Sequence, residues 1–243
     1  MRIANTLRNG LVGLLSQLVI LITGFILRAI FINTLGQEIL GLNGLFLDIL
    51  SILSVTELGI GSAITYSLYK PIHDNDKDTI TGLMHLYRKS YRIIGTIIFI
   101  ISLLILPFIQ IFIKDYTLNL NYIRFIFMLF AANTTLSYFL GYSRIILFAN
   151  QKNYIVLAVD FVFKIILTII QAIILIYTKN FVFYLGLMIF YTLITNLLIR
   201  FVVQKDFPYL NRKHIDLNPE IKADIFKNIK FLIISDIISV GVL

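Results

Sequence analysis

Residues 93–113, IIGTIIFIISLLILPFIQIFI, carry no charged side chain from end to end. A helix rises about 1.5 Å per residue, so roughly 20 apolar residues cross a hydrocarbon layer about 30 Å thick. This stretch is long enough to do so. Its apolar run is unbroken and lacks the period-two alternation of a barrel strand. Pro107, which has no backbone donor and crowds the preceding turn, is expected to kink the helix.

Working outward from it, five further stretches have the same character, at about 10–31, 40–69, 122–148, 154–177 and 181–203. The first is too long for a cleaved leader and lacks a small-residue cleavage site. Composition agrees, with 58% hydrophobic residues, 14% charged residues and a mean hydropathy of +0.90. Soluble domains carry about a quarter charged residues. The expected fold class is therefore all-α, a polytopic transmembrane helical bundle. The net charge of +8 would raise nucleic acid as a partner of a soluble protein. Here the lipid bilayer is the expected partner and nucleic acid is not. There is no Cys, and His73, His85 and His214 are dispersed, which excludes disulfides, thiolate chemistry and a recognisable metal site.

Positive side chains in short loops stay in the cytoplasm. Arg2 and Arg8, then Lys70, Lys77, Arg88, Lys89 and Arg92, then Lys152, then Arg200, Lys205 and the basic residues up to Lys230 fall on one side. The other side holds Lys114, Lys179 and Arg124. This asymmetry predicts a multi-pass protein with its N-terminus in the cytoplasm. On the basic side, Ile80, Leu83, Met84, Tyr87 and Tyr91 recur at helical spacing behind Asp76 and Asp78, with Arg88, Lys89 and Arg92 beside them. This pattern fits a helix lying on the membrane surface and fits equally a connecting helix packed on the spans. A second amphipathic helix is expected within a cytoplasmic linker, 204–230, opening at Asn218-Pro219-Glu220. Residues 231–243 are apolar but shorter than the ~17 needed to cross a bilayer. They read as the start of a seventh span, and the chain as a portion of a longer transporter or a truncated product.

Ionisable groups at bilayer depth cost about 2.5–3.5 kcal/mol on insertion scales, so they face protein or a wet cavity. In the first span Gln17, Leu21, Gly24 and Arg28 share one face. In the second, Glu57 shares a face with Asn43, Ser54, Gly61 and Thr65, while Asp48 aligns with Ser51, Gly59 and Ser62 on the other. The fourth offers Asn133, Ser137, Gly141 and Arg144. In the fifth, Asp160 and Lys164 are spaced as a favourable intrahelical pair, continued by Thr168 and Gln171. Each has a bland alternative: Arg28 and Arg144 snorkel to headgroups, Glu57 is a hydrogen-bonded structural acid, and the Asp160–Lys164 pair only braces its helix. Taken together the stripes predict an internal hydrophilic cavity, mixed to positive in charge, in which Arg28, Arg144 and Lys164 attract an anionic phosphate or diphosphate.

Several of these residues sit in recognisable runs: Arg28, then Asn33-Thr34-Leu35-Gly36, Leu40-Gly41-Leu42-Asn43-Gly44-Leu45-Phe46, Thr56-Glu57-Leu58-Gly59-Ile60-Gly61-Ser62-Ala63, and Leu68-Tyr69-Lys70-Pro71-Ile72 with Tyr87-Arg88-Lys89-Ser90-Tyr91. As a set they resemble the bacterial polysaccharide-biosynthesis flippases, the Wzx-like oligosaccharide repeat-unit transporters of the MOP superfamily. The resemblance covers about the first hundred residues and implies two six-helix lobes around a central cavity, of which this chain supplies one and the start of the next. It implies translocation of an undecaprenyl-diphosphate-linked oligosaccharide across the bacterial plasma membrane by alternating access, for capsule or exopolysaccharide synthesis. A proton or sodium gradient is then the expected energy source, no cofactor is expected, and a polysaccharide polymerase and its assembly machinery are expected partners. Arg28 matches the family's arginine late in helix one, and Glu57 its acidic or polar position before the Gly-x-Gly turn.

Other classes compete. A multidrug or cation antiporter of the same superfamily would favour acidic cavity groups. A membrane-embedded polymerase or glycosyltransferase would need a catalytic acid or base beside a large hydrophilic loop, and the loops on the sparsely charged side are short. A non-transporting scaffold is a further class. The chain is expected not to be an enzyme.

Overall fold

The computed structural model of the chain describes residues 2–54, 60–113, 117–211 and 217, with side chains described from Ser16 to Leu210 and at Leu217. All regular structure among these residues is helical: α1 (Arg2–Ser54), α2 (Ile60–His73), α3 (Lys77–Ile105), α4 (Leu120–Gly141), α5 (Arg144–Ala149), α6 (Asn153–Thr178) and α7 (Phe181–Asp206). Short 3-10 turns follow α3 at Leu106–Phe112 and α7 at Pro208–Asn211.

Five helical segments are long and apolar enough to cross a membrane: Ser16–Ser54, Lys77–Phe112, Leu120–Gly141, Asn153–Thr178 and Phe181–Asp206. Their outward faces carry large apolar side chains in the open, among them Phe25 at 78% and Ile52 at 70% exposure, with Leu104, Phe190 and Phe201. So continuous an apolar exterior points to a membrane-embedded protein.

The first of the five departs from helical geometry at Gly36, with φ 85° and ψ 172°, a conformation that costs glycine little and other residues more. The two limbs fold back toward each other, since Gly24, Leu27 and Arg28 of one and Leu40, Asn43 and Gly44 of the other line one pocket of about 300 Å3. Aromatic contacts fix both limbs. Phe31 meets Phe181 and Tyr184 edge-on at 5.5 and 5.2 Å, and Phe46, fully buried, meets Phe127 and Phe130 at 5.2 and 5.8 Å. The expected count of six spans and a seventh is thus not what the described helices give directly. The expected second span divides among the second limb of α1, residues 55–59, which lie outside the described residues, and α2. The expected linker beyond 211, its amphipathic helix and the 231–243 segment also lie outside them, apart from Leu217.

Two expectations change at helix level. Residues 77–92 form no separate surface helix, because they run without a break into α3. Asp76 caps that helix by accepting from the Thr79 amide at 3.0 Å and the Thr79 hydroxyl at 2.6 Å, and the apolar line Ile80, Leu83, Met84, Tyr87 and Tyr91 is buried in the bundle. At Pro107 the α-helix does not kink and continue. It ends at Ile105 and the proline opens the 3-10 turn, where its missing donor has no partner to lose.

Helices α3 and α4 pack tightly at Gly95, where a Cβ would lie 3.0 Å from the Cβ of Tyr138 and 2.9 Å from the Phe139 ring. At the end of the bundle that carries most Lys and Arg, Lys152 donates to Asp206 at 2.7 Å and ties the turn before α6 to the end of α7. At the opposite end, the Glu38 carboxylate beside the Gly36 bend accepts from the Thr117 amide at 2.8 Å and its hydroxyl at 2.5 Å.

Candidate functional site

A cavity of about 1050 Å3 opens in the half of the bundle toward the Lys- and Arg-rich end. It is built where α4 gives out. The helix stops at Gly141, Tyr142 and Ser143 form a turn whose backbone stays in the right-handed helical region, and the chain restarts as α5 with Arg144 as its first residue. The expected continuous span 122–148 is therefore interrupted by this one turn, just before Arg144, which lines the cavity.

Arg144 is held by three hydrogen bonds from two other helices. Its Nη1 and Nη2 donate to Asp160 Oδ2 and Oδ1 at 2.6 and 3.0 Å, and its Nε donates to Asn196 Oδ1 at 2.9 Å. Asn196 in turn donates from Nδ2 to the Thr192 carbonyl at 2.8 Å, which fixes its amide orientation. The bidentate fork is the strong form of a guanidinium–carboxylate pair. Both side chains remain about one-third exposed, 30% and 33%, and both line the cavity. The cluster pins α5, α6 and α7 together around the cavity floor.

The rest of the lining is uncharged among the described residues and rich in hydroxyls. Ser54, Ser62 and Thr65 come from α1 and α2, Thr134 and Ser137 from α4, and Thr192 and Thr195 from α7. Six tyrosines complete it: Tyr66, Tyr69, Tyr87, Tyr91, Tyr138 and Tyr191. Tyr87 and Tyr91 lie with ring centroids 4.2 Å apart and Tyr91 is 5.5 Å from Tyr138, giving a continuous aromatic wall. Gly61 of α2 faces this wall, and a Cβ there would make an ordinary van der Waals contact with the Tyr87 hydroxyl at 3.5 Å. Tyr66 and Tyr69 are exposed at the rim.

Of the residues singled out in the sequence, the structure brings Arg144 and Asp160 together in this cavity. Ser54, Gly61 and Thr65 line it too, the face expected to accompany Glu57, but Glu57 itself lies outside the described residues. Three expectations are corrected. Asp160 pairs with Arg144 rather than Lys164, because Arg144, at the start of α5, presents a planar group with five donors to both carboxylate oxygens. Arg144 therefore does not snorkel outward. Arg28, Arg144 and Lys164 form no joint anion site: Arg28 and Asn43 line the separate pocket between the limbs of α1, and Lys164 is half-buried on α6 outside the cavity. The cavity charges then cancel, Arg144 against Asp160, so its described lining is neutral rather than positive.

Gln17 is exposed on the first limb. Asn133 is half-buried on α4 with its Oδ1 lacking a partner. Gln171 is buried and donates to the Tyr184 carbonyl at 3.2 Å, a brace between α6 and α7. The tyrosines were overlooked as a site because Tyr87 and Tyr91 read as part of an apolar helix face. The signal in the sequence is their recurrence, at 66, 69, 87, 91 and 138, alongside small polar residues such as Thr65, Ser67, Ser90 and Ser137.

Such a cavity can stack the flat apolar faces of a ring-shaped polar molecule on tyrosine and hydrogen-bond its edges. Its described lining offers no net charge to an ion. No family model, no curated protein and no solved structure matches the chain.

Proposed function

We propose that the chain is the membrane lobe of a transporter that carries a hydrophilic, sugar-like group through the bilayer. The observation that carries this reading is a cavity of about 1050 Å3, its described lining neutral and made of tyrosines and hydroxyls, inside a bundle whose exterior is apolar. A polar chamber of that size costs packing that an anchor or scaffold has no reason to give up. A volume of this order accommodates several sugar rings.

The resemblance of the runs between Arg28 and Tyr91 to the repeat-unit flippases supports a lipid-linked oligosaccharide as the substrate and the bacterial plasma membrane as the location. On this reading the limbs of α1 on either side of Gly36 are two spans, the lobe has six, and the Lys- and Arg-rich end, with the N-terminus, is cytoplasmic. The sugars occupy the cavity and the lipid tail stays in hydrocarbon. The neutral lining argues that the cavity recognises the sugar moiety and leaves the diphosphate to another part of the protein. It also weighs against a cation antiporter, since the described carboxylate in the cavity, Asp160, is already bound to Arg144.

The test is complementation. Expressed together with the second lobe that the resemblance implies, in a bacterium lacking its own repeat-unit flippase, the protein restores surface polysaccharide. Tyr66→Ala with Tyr69→Ala, both exposed at the rim, lowers that activity by about tenfold through lost stacking while membrane abundance is unchanged. No restoration by the wild type, across strains with different repeat units, would overturn the substrate assignment. Full activity of the double variant would overturn the role of the cavity.

A further inference from the structure

A second feature of α3 plays no part in the cavity. His85, Arg88, Lys89 and Arg92 border a groove of about 540 Å3, and Ile93, Thr96 and Ile97 continue it one turn deeper. A small notch adjoining at His85 and Arg88 adds Arg200 of α7. No carboxylate lines either recess among the described residues. Arg88 lies over the Tyr142 ring at 5.3 Å, and its buried Nε has no hydrogen-bond acceptor. Four permanent cations thus stand at one level with their charge uncompensated by any described side chain.

The order of chemistry along the groove is what identifies a ligand. The cations come first, near the basic end of the bundle, and Ile93 and Ile97, 50% and 45% exposed, follow immediately toward the membrane interior. A phosphate above and acyl chains below is the layout of a phospholipid. Basic recesses between helices at the membrane surface attract anionic headgroups at about 1 kcal/mol per cation, which is roughly fivefold in affinity.

We infer that this groove binds an anionic phospholipid, its headgroup phosphate on Arg88, Lys89 and Arg92 and its chains along Ile93 and Ile97. The site is independent of the transported substrate. A free phosphate would use the same cations but gain nothing from the isoleucines.

The experiment titrates dioctanoyl phosphatidylglycerol, dioctanoyl phosphatidylcholine and orthophosphate onto the purified full chain in neutral detergent and reads binding by native mass spectrometry. Phosphatidylglycerol binds in preference to phosphatidylcholine and is not displaced by equimolar orthophosphate. Lys89→Gln with Arg92→Gln, both exposed and free of packing duties, weakens it about 25-fold. Lys70→Gln with Lys205→Gln removes the same charge elsewhere at that end and leaves binding unchanged. Equal loss in both double variants would reduce the effect to general electrostatics and overturn the site. Equal binding of the two lipids would overturn it as well, and displacement by orthophosphate would overturn the lipid assignment.

Discussion

Arg144 and Arg88 are both partly buried near tyrosines at the same end of the bundle, yet they are treated in opposite ways. Arg144 is saturated, with two hydrogen bonds to Asp160 and one to Asn196. Arg88 rests on an aromatic ring, one nitrogen unmet, beside two further cations on its own helix. Where a cation faces the interior of the bundle, desolvation makes an unmatched charge expensive and the fold supplies a carboxylate. Where it faces the membrane surface, water and headgroups meet the charge, and the chain can keep a field of one sign.

The contrast breaks most visibly at Arg144. Arg144→Ala leaves Asp160 without its partner and is expected to destabilise the protein by about 2 kcal/mol, less than a fully buried pair because both side chains are one-third exposed. Arg144→Ala with Asp160→Ala is less harmful than the sum of the single changes, as a double-mutant cycle of thermal unfolding in detergent would report. Additive losses would mean that the two groups do not act together. Arg88→Ala, by contrast, removes a cation with no acid to strand, and unfolding should register well under half that loss.

Next in size is the wall between the two regions. Gly95 permits the tyrosine face of α3 to lie against α4, and Gly95→Leu would drive a side chain into Tyr138 and Phe139. The expected cost is about 1–3 kcal/mol, with lower yield of folded protein and a lower unfolding temperature. An unchanged unfolding temperature would show that the helices are further apart than described.

The smallest effect is at the start of α3. Asp76→Ala removes the cap and is expected to cost about 1 kcal/mol. The Thr79 hydroxyl and amide hold the Asp76 carboxyl below its ordinary pKa. Its stabilisation is therefore complete above the unfolded value near 3.9 and is lost as pH falls through the lower folded value. Unfolding curves of wild type and Asp76→Ala should stay apart at neutral pH and converge only in strong acid.

Much of the scaffold was legible in the residues. The apolar runs 154–177 and 181–203 correspond to α6 at Asn153–Thr178 and α7 at Phe181–Asp206, because hydrocarbon imposes its own length on a helix. The partner of Asp160 was not legible. Spacing along one helix favours Lys164, whereas Arg144 reaches Asp160 from a different helix, across a contact set by packing between helices. The polar stripes of α2 and α4 did foretell a cavity. The neutrality of its described lining and its tyrosines depend on how seven helices face one another, which periodicity along any one of them does not encode.

The central claim is that an apolar exterior encloses a water-accessible polar chamber. The chain contains no cysteine, so single cysteines can report on it without background. In intact membranes a charged, membrane-impermeant maleimide should label Ser62→Cys, Thr65→Cys and Ser137→Cys on the cavity wall, from the Lys- and Arg-rich side. It should leave Phe25→Cys, Leu104→Cys and Phe190→Cys on the outer belt unmodified. Labelling of the belt as fast as the cavity, or of neither set of positions on the cavity wall, would contradict the account.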